Sequence, residues 1–180
     1  MFRLAKGFTL IEALAVMAVA AVLLVVAIPA WSHARAAAKA STVRAELAAS
    51  LLKAVSYSAN AGAEVVVCPA SILDQCTGRI DWDGGWVAFA DANGNRVRDL
   101  TETVVARTPA VDKSVHLQST SGRTKLVFQP SGGNAGSNVT FTLCDSRGIE
   151  YATALILSNM GALRNGTPPQ DAARRCVYGQ

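Results

Sequence analysis

The feature that most constrains this chain is an apolar run near its N-terminus, from Ala13 to Ala30. Apart from Met17 and Pro29, its 18 residues are all Ala, Val, Leu or Ile. A helix of this length covers about 27 Å, close to the roughly 30 Å thickness of a bilayer's hydrocarbon core. The sequence therefore predicts one membrane-spanning helix, and the rest of the 180 residues suits a single further domain.

A single carboxylate, Glu12, stands at the start of this run. An acid at the centre of a membrane helix costs about 2.5–3.5 kcal/mol, and less near its end. The nine Val, Leu and Ile residues between positions 13 and 28 return about 0.3–0.6 kcal/mol each, so the segment still inserts. Because ionisable residues within membrane segments usually serve a function, Glu12 is a candidate functional residue.

The residues around Glu12 resemble a known processing signal. Gly7-Phe8-Thr9-Leu10-Ile11-Glu12 is similar to the class III leader of type IV pilins and type II secretion pseudopilins. The resemblance implies that a prepilin peptidase cuts between Gly7 and Phe8 and methylates Phe8. It also implies that Glu12 pairs with the N-terminal ammonium of a neighbouring subunit, and that Pro29 is a helix-kink position. A secretory signal peptide or a plain anchor is the alternative, but a secretory signal has a shorter core and a small-x-small cleavage site.

The helical pattern continues beyond Pro29 to about Ser58, because no Gly or Pro interrupts it. Small or apolar residues then recur at spacings of three and four, at Val43, Leu47, Leu51, Ala54, Val55 and Ser58. This stripe predicts that the second half of the helix packs on the domain that follows. The sequence Asn60-Ala61-Gly62 predicts the end of the helix.

From Glu64 onwards, short β-branched or apolar runs alternate with turn residues. The predicted strands are Glu64–Cys68, Trp86–Asp91, Thr103–Arg107, Val115–Gln118, Lys125–Gln129, Asn138–Cys144 and Tyr151–Ser158. No further helix is predicted, and the tail from Gly166 to Gln180 is expected to be loose unless Cys176 ties it down. The fold class is α+β, with one long N-terminal helix packed on an antiparallel sheet or sandwich. The segments are a leader at 1–7, a membrane and assembly helix at 8–30, an amphipathic half-helix at 31–60 and a β-rich domain at 61–180.

Several motifs in the β-rich domain are similar to the GspH/FimT family of minor pilins and pseudopilins. They are Val67-Cys68-Pro69, Cys76-Thr77-Gly78, Asp81–Phe89, Asp91–Asp99, Gly136-Ser137-Asn138 and Leu143–Gly148. The resemblance implies a type IV pilin-like fold and other pilins as partners. It also implies a single-pass inner-membrane precursor with a periplasmic domain that later joins a pilus. The combination favours the FimT branch of type IV pilus proteins, and the alternative is a GspH-like pseudopilin of a type II secretion system.

Four cysteines behind a membrane-targeting segment predict two disulfides in an oxidising compartment. Three pairings are possible. We favour Cys68–Cys76, which closes a small loop, and Cys144–Cys176, which ties the C-terminal tail to a strand. Zinc ligands usually come in closer pairs, so no zinc site is predicted.

A stretch after the second strand has the spacing of a calcium loop. Asp91, Asn93, Asn95, Val97, Asp99 and Glu102 fall at loop positions 1, 3, 5, 7, 9 and 12. Position 6, which should be Gly, is Arg96, and the flanking elements are predicted to be strands rather than helices. Calcium is thus a weak candidate, and the alternative is a polar turn built on Asn-Gly.

DNA is a candidate partner because FimT-type minor pilins are implicated in capturing DNA for natural transformation. Their Gly-Arg-x-Arg motif follows the last strand; here Gly161 and Arg164 match it, while Ala162 replaces the first arginine. Arg147, Arg174 and Arg175 are further candidates, the last two if Cys176 pairs with Cys144. The net charge of +4 is mild, and the alternative is that these arginines only solvate an exposed surface.

Enzymatic chemistry is not predicted. The sequence has no Gly-x-Ser-x-Gly elbow, phosphate-binding loop or His-Glu-x-x-His motif. The two histidines, His33 and His116, stand far apart, so no metal or other cofactor is expected. Trp82 and Trp86 are interpreted as packing residues.

Overall fold

The computed structural model of this protein describes residues 7, 9–70 and 74–179. The chain divides into two compact units, Met1–Arg35 and Ala36–Gln180. Helix α1 spans Leu10–Ala61 and therefore belongs to both. It continues beyond Pro29 as predicted, and it ends before Gly62, whose φ of 67° is the left-handed geometry that terminates helices.

The second unit contains two four-stranded antiparallel sheets. The first has the order β3-β2-β1-β5, with strands β1 (Glu64–Pro69), β2 (Trp86–Asp91), β3 (Val104–Thr108) and β5 (Leu126–Phe128). The second has the order β4-β6-β7-β8, with strands β4 (Val115–Ser119), β6 (Val139–Asp145), β7 (Thr153–Leu157) and β8 (Leu163–Gly166). Seven of these strands match the predicted ones to within two residues at each end.

One hydrophobic core joins α1 to both sheets. Five of the six predicted stripe residues are buried, namely Val43, Leu47, Leu51, Ala54 and Ser58, and Val55 is partly buried against the same core, which confirms the predicted packing face. Side chains at alternate strand positions meet it from the two sheets, such as Val65 and Val67 of β1. Trp82 and Trp86 are fully buried in this core, and the Trp82 ring packs edge-on against Phe141 with centroids 5.0 Å apart.

Every residue of this core lies at or after Ala40 in the second unit. The unit also contains the two disulfides, Cys68–Cys76 and Cys144–Cys176, which are the pairings favoured from the sequence. A fragment that starts at Ala36 therefore keeps the whole core and both covalent links.

The expectation that no further helix follows the strands was wrong, whereas the tail is tied down by the Cys144–Cys176 disulfide, the condition under which it was not expected to be loose. Residues Gln170–Tyr178 form a second helix, α2, which begins after Pro169 and ends at Gly179 in the left-handed conformation. Ala173 and Cys176 are buried against the outer face of the second sheet, with Cys144 and Ala152. A helix of nine residues is marginal by itself, so this docking rather than an extended periodic pattern stabilises it.

Candidate functional site

The first candidate surface is the apolar part of α1 in the first unit. Every residue from Thr9 to Arg35 is exposed, including Leu10 at 81% and Val25 at 74%. The helix is long and apolar enough to cross a membrane, with a mean hydropathy of 2.8 in its most apolar stretch. None of that stretch is buried within the protein, so its apolar surface is available to lipid or to other helices.

The N-terminus of α1 presents Glu12 in its first turn. The Thr9 hydroxyl oxygen accepts the Glu12 backbone N–H at 3.4 Å, and the Thr9 carbonyl accepts the Ala13 N–H at 3.2 Å. Thr-x-x-Glu is the spacing of a capping box, and a carboxylate in the first turn also suits the helix dipole. Gly7 is exposed and non-helical, but Phe8 lies outside the described residues. Cleavage, methylation and the pairing of Glu12 therefore stay predictions.

The second candidate surface is the turn between β7 and β8, which carries Gly161, together with Arg164 on β8 just after the turn. The Ser158 N–H donates to the Ala162 carbonyl at 2.9 Å, and the Ser158 hydroxyl accepts the Ala162 N–H at 3.0 Å. Gly161 has a φ of 81°, and a Cβ there would lie 2.6 Å from the Gly132 carbonyl oxygen. The glycine is therefore required by the turn itself, whether or not the turn binds a ligand.

Arg164 lies opposite Ile156 on the edge strand β8 and is exposed. It forms no ion pair with any residue that the structure describes. The neighbouring Ala162 is exposed as well. This edge therefore offers one unpaired guanidinium and an open position where an arginine side chain would fit.

The other candidate arginines do not join Arg164 in one cluster. Arg147 forms two hydrogen bonds with the buried Asp145 carboxylate, at 2.7 and 2.9 Å, and its guanidinium lies 4.9 Å from the Tyr151 ring centre. The bonds to Asp145 raise the pKa of Arg147 and hold its side chain in place. Arg147 therefore has a structural role in the turn after β6.

Helix α2 holds the two remaining candidates. Arg175 pairs with Asp171 one turn earlier, at 2.8 Å, whereas Arg174 is exposed and makes no ion pair within the described part of the chain. The helix packs over β6 and β4, and β7 separates β6 from β8. Two strand spacings, about 10 Å, therefore lie between the strand under α2 and the strand of Arg164.

The candidate calcium ligands, Asp91, Asn93, Asn95, Asp99 and Glu102, bind one another and their own loop. Asp91 and Glu102 each accept two backbone N–H groups of the loop, at 2.9 and 3.0 Å respectively. Asp99 accepts both asparagine side-chain amides, at 2.7 and 3.1 Å. This is the polar turn given above as the alternative. Across the described ranges, no group of three or more His, Cys, Asp or Glu is placed to hold a metal ion.

Sequence reasoning missed the surroundings of Arg96 and Arg98. The calcium-loop interpretation concerned the acids of this stretch; it treated Arg96 only as a departure from the pattern and gave Arg98 no role. In the structure these arginines and Lys125 line one cavity. The alternating spacing Arg96-Val97-Arg98 was the available signal, but the partner segment is distant in sequence.

Comparisons with known proteins agree on both units. The family described as Type II transport protein GspH matches residues 44–161, and the prokaryotic N-terminal methylation motif matches residues 2–28. The structure is similar to the type IV minor pilin FimU of Pseudomonas aeruginosa PAO1 in two crystal forms. Both comparisons give 18% identity, with TM-scores of 0.53 and 0.54. They cover 74% and 78% of this chain and 93% and 92% of FimU.

A second solved structure has the same arrangement. It is the minor pseudopilin EpsH from the type 2 secretion system of Vibrio cholerae, with 11% identity and a TM-score of 0.52. The match covers 72% of this chain and 98% of EpsH. No curated protein matches the chain in sequence.

Proposed function

This chain belongs to the family described as Type II transport protein GspH, and we propose that within it the protein is a minor pilin of a type IV pilus. Its fold is the type IV pilin-like fold, and its class is that of minor pilins and pseudopilins. Proteins of this class are structural subunits rather than enzymes, and they assemble with other pilins after processing by a peptidase. The proposal concerns which machine this subunit serves.

The exposed apolar segment of α1 is the observation that carries assembly into a filament, whichever machine the subunit serves. Fully burying a Val, Leu or Ile side chain is worth about 1.5–3 kcal/mol, so a row of them cannot stay in water. Lipid covers the segment in the precursor, and equivalent helices of other subunits replace the lipid in the filament. Because the apolar segment is covered in both states, assembly needs no additional hydrophobic burial. It needs only a contact that fixes the position of each subunit in the filament.

Glu12 supplies that contact. A carboxylate among apolar helices is costly unless a cation pairs with it. Cleavage after Gly7 would create an ammonium at Phe8, four residues before Glu12 along the chain. The Phe8 ammonium of one subunit and the Glu12 carboxylate of its neighbour then neutralise each other and set the axial register.

Mass spectrometry of the membrane-extracted protein tests this processing. We expect a chain that begins at Phe8 and carries one methyl group on its N-terminus. A mature chain that still contains residues 1–7 would overturn both the pairing and the assembly route.

The choice of a pilus over a secretion system is supported by the FimT-like motifs of the β-rich domain. Deletion of the gene tests it when surface pili, natural transformation and exoprotein secretion are scored in the same strain. Loss of pili with intact secretion is the expected result. Loss of secretion with intact pili would instead assign the protein to a type II secretion pseudopilus.

DNA capture is a second candidate function, and the exposed Arg164 favours it. A guanidinium without a protein partner at a strand edge can contact a phosphate, and each such contact releases a counterion. The basic surface around Arg164 is small, so we expect one subunit to bind DNA weakly and several subunits together to bind it more strongly.

A further inference from the structure

A basic cavity lies outside the surfaces described so far. It measures about 250 Å³ and belongs entirely to the second unit. We call it the basic pocket; its lining residues are Gln75, Cys76, Gly78, Arg96, Val97, Arg98, Thr124 and Lys125. Three of these residues are cationic and none is acidic.

Three segments hold the basic pocket in shape. The Cys68–Cys76 disulfide fixes the first segment, and the Gln75 side-chain amide donates to the Arg98 carbonyl at 3.1 Å. The polar loop after β2 supplies the two arginines. Lys125, from the connection into β5, donates from Nζ to the Arg96 carbonyl at 3.2 Å. The cavity is therefore built by contacts between these segments rather than by one mobile loop.

The cations of the pocket are only partly neutralised. Arg96 contacts Glu64 through Nε at 3.3 Å. Arg98 forms no ion pair among the described residues, and its Nε is buried without a hydrogen-bond partner there. A guanidinium without a counter-charge leaves net positive charge beside the pocket, and a cleft lined by charge of one sign favours an ion of the opposite sign.

Arg96 also has a backbone conformation that costs free energy. Its φ is 57°, in the left-handed region that glycine adopts more easily. The Asp91 carboxylate holds this geometry by accepting the Arg96 N–H at 2.9 Å. An arginine in a conformation that glycine would adopt with less strain points to a role for its side chain.

We propose that the basic pocket binds a phosphate group. A planar carboxylate is matched by one guanidinium fork, whereas the donors here come from three segments and suit a tetrahedral oxyanion. The Thr124 hydroxyl and the Gln75 amide add neutral donors to the three cations. The group is carried either by a nucleic-acid backbone or by free phosphate. The proposal does not depend on the pilus assignment or on Arg164.

The test is a titration of the full chain, labelled with ¹⁵N and held in maltoside micelles, which contain no phosphate. Inorganic phosphate is added at constant ionic strength, and the arginine Nε–Hε resonances are followed. We expect the Arg98 resonance to shift and to saturate. A shift that rises linearly with phosphate concentration without saturating, or that sodium chloride reproduces, would overturn the proposal.

Variants separate binding from folding. Arg98→Gln should weaken phosphate binding at least fivefold. Arg96→Gly should do the same while the denaturation midpoint stays equal or rises, because glycine relieves the left-handed strain. Lys113→Gln, which removes an exposed cation before β4, is the control and should change the affinity less than twofold. Equal affinity in the wild-type protein and both pocket variants would contradict the proposal.

A second titration identifies which molecule carries the phosphate group that the pocket binds. A short DNA duplex is titrated in the same way, and inorganic phosphate is then added as competitor. Shifts of Arg98 that phosphate reverses indicate a nucleic-acid backbone. Saturation by phosphate without any response to the duplex supports the site and overturns nucleic acid as its ligand.

Discussion

Cys144 of β6 is bonded to Cys176 of α2, and the two sulfurs lie in a small apolar cluster on the outer face of the second sheet. The cluster contains Ala152 and Ala173 as well, with Ile149 and Val177 at its margin. Helix α2 therefore has few apolar contacts besides those around the disulfide. The covalent link supplies much of what keeps this short helix in place.

Replacing Cys144 and Cys176 together by Ser should cost about 3–4 kcal/mol in the free energy of unfolding, because their separation of 32 residues closes a long loop. The Cys68 and Cys76 pair, separated by 8 residues, should cost about 2–3 kcal/mol when replaced in the same way. Urea denaturation of the fragment from Ala36 measures both values. A larger loss for the shorter loop would show that chain entropy does not govern these links.

Gly161 should tolerate alanine less well than Gly94 does. Both glycines have a positive φ, of 81° and 74°, so alanine at either site carries a backbone cost of about 1–2 kcal/mol. A Cβ at Gly94 meets nothing within 4 Å, whereas at Gly161 it meets the Gly132 carbonyl oxygen at 2.6 Å. We expect Gly161→Ala to lose about 1–3 kcal/mol more, the usual range for overpacking. Equal losses in urea denaturation would contradict the close approach of these two loops.

Asp112 should make the stability of the second unit depend on pH. Hydrogen bonds from Ser114, and then the Lys39 ammonium at 2.9 Å, lower the pKa of Asp112 below its ordinary value. A carboxyl whose pKa is lower in the folded state stabilises fully above its unfolded pKa, which is about 4. That stabilisation is lost as the pH falls towards the folded-state pKa.

The matched variant for this prediction is Asp112→Asn. The difference in unfolding free energy between wild type and variant should be largest above about pH 5 and should shrink below about pH 4. It should also diminish in high salt, since the pair is exposed. A difference that stays constant from pH 2 to pH 7 would show that the carboxylate contributes nothing.

The long helix and seven strands could be predicted because their signals extend over many residues. The stripe from Val43 to Ser58 repeats over four turns, and strands such as Trp86–Asp91 are almost wholly apolar or β-branched. Helix α2 offered only local signals, namely Pro169 before it, the Asp171–Arg175 pair within it and Gly179 after it. Four of its nine residues have charged or amide side chains, so the sequence pattern did not indicate that two others are buried.

The candidate sites were less predictable because several donors and acceptors compete for the same partners. Asp145 and Tyr151 lie close to Arg147 in sequence, but their spacing alone does not show that they hold its guanidinium. The spacing of Asp91 and Glu102 suits calcium, but their oxygens accept loop amides instead. The sequence spacing shows which residue types could come together. Competition for hydrogen-bond partners then decides which of these contacts form.

Glu12→Gln should leave processing intact and prevent incorporation into filaments. The amide keeps the size of the side chain and the helix cap, but it removes the charge proposed to pair with a neighbour's ammonium. Immunoblots of sheared filaments and of membranes should show the variant retained in the membrane at its mature mass. Glu46→Gln, an exposed acid in the second unit, is the control and should assemble normally. Normal assembly of Glu12→Gln would contradict the charge-pair mechanism.

Restoring the missing arginine should strengthen DNA binding. Ala162 is exposed in the turn before Arg164, so Ala162→Arg adds a second guanidinium without changing the glycine that shapes the turn. One further phosphate contact steepens the dependence of log K on log salt by about 0.9, which is a gain on the order of tenfold near 0.1 M salt. Arg164→Ala should flatten the slope by the same amount, whereas Ala162→Gln, polar but uncharged, should leave the slope as it is. Fluorescence anisotropy with a labelled duplex at several salt concentrations gives the slopes. Unchanged slopes in both arginine variants would show that any DNA contact of this protein lies elsewhere, and the basic pocket would be the next surface to test.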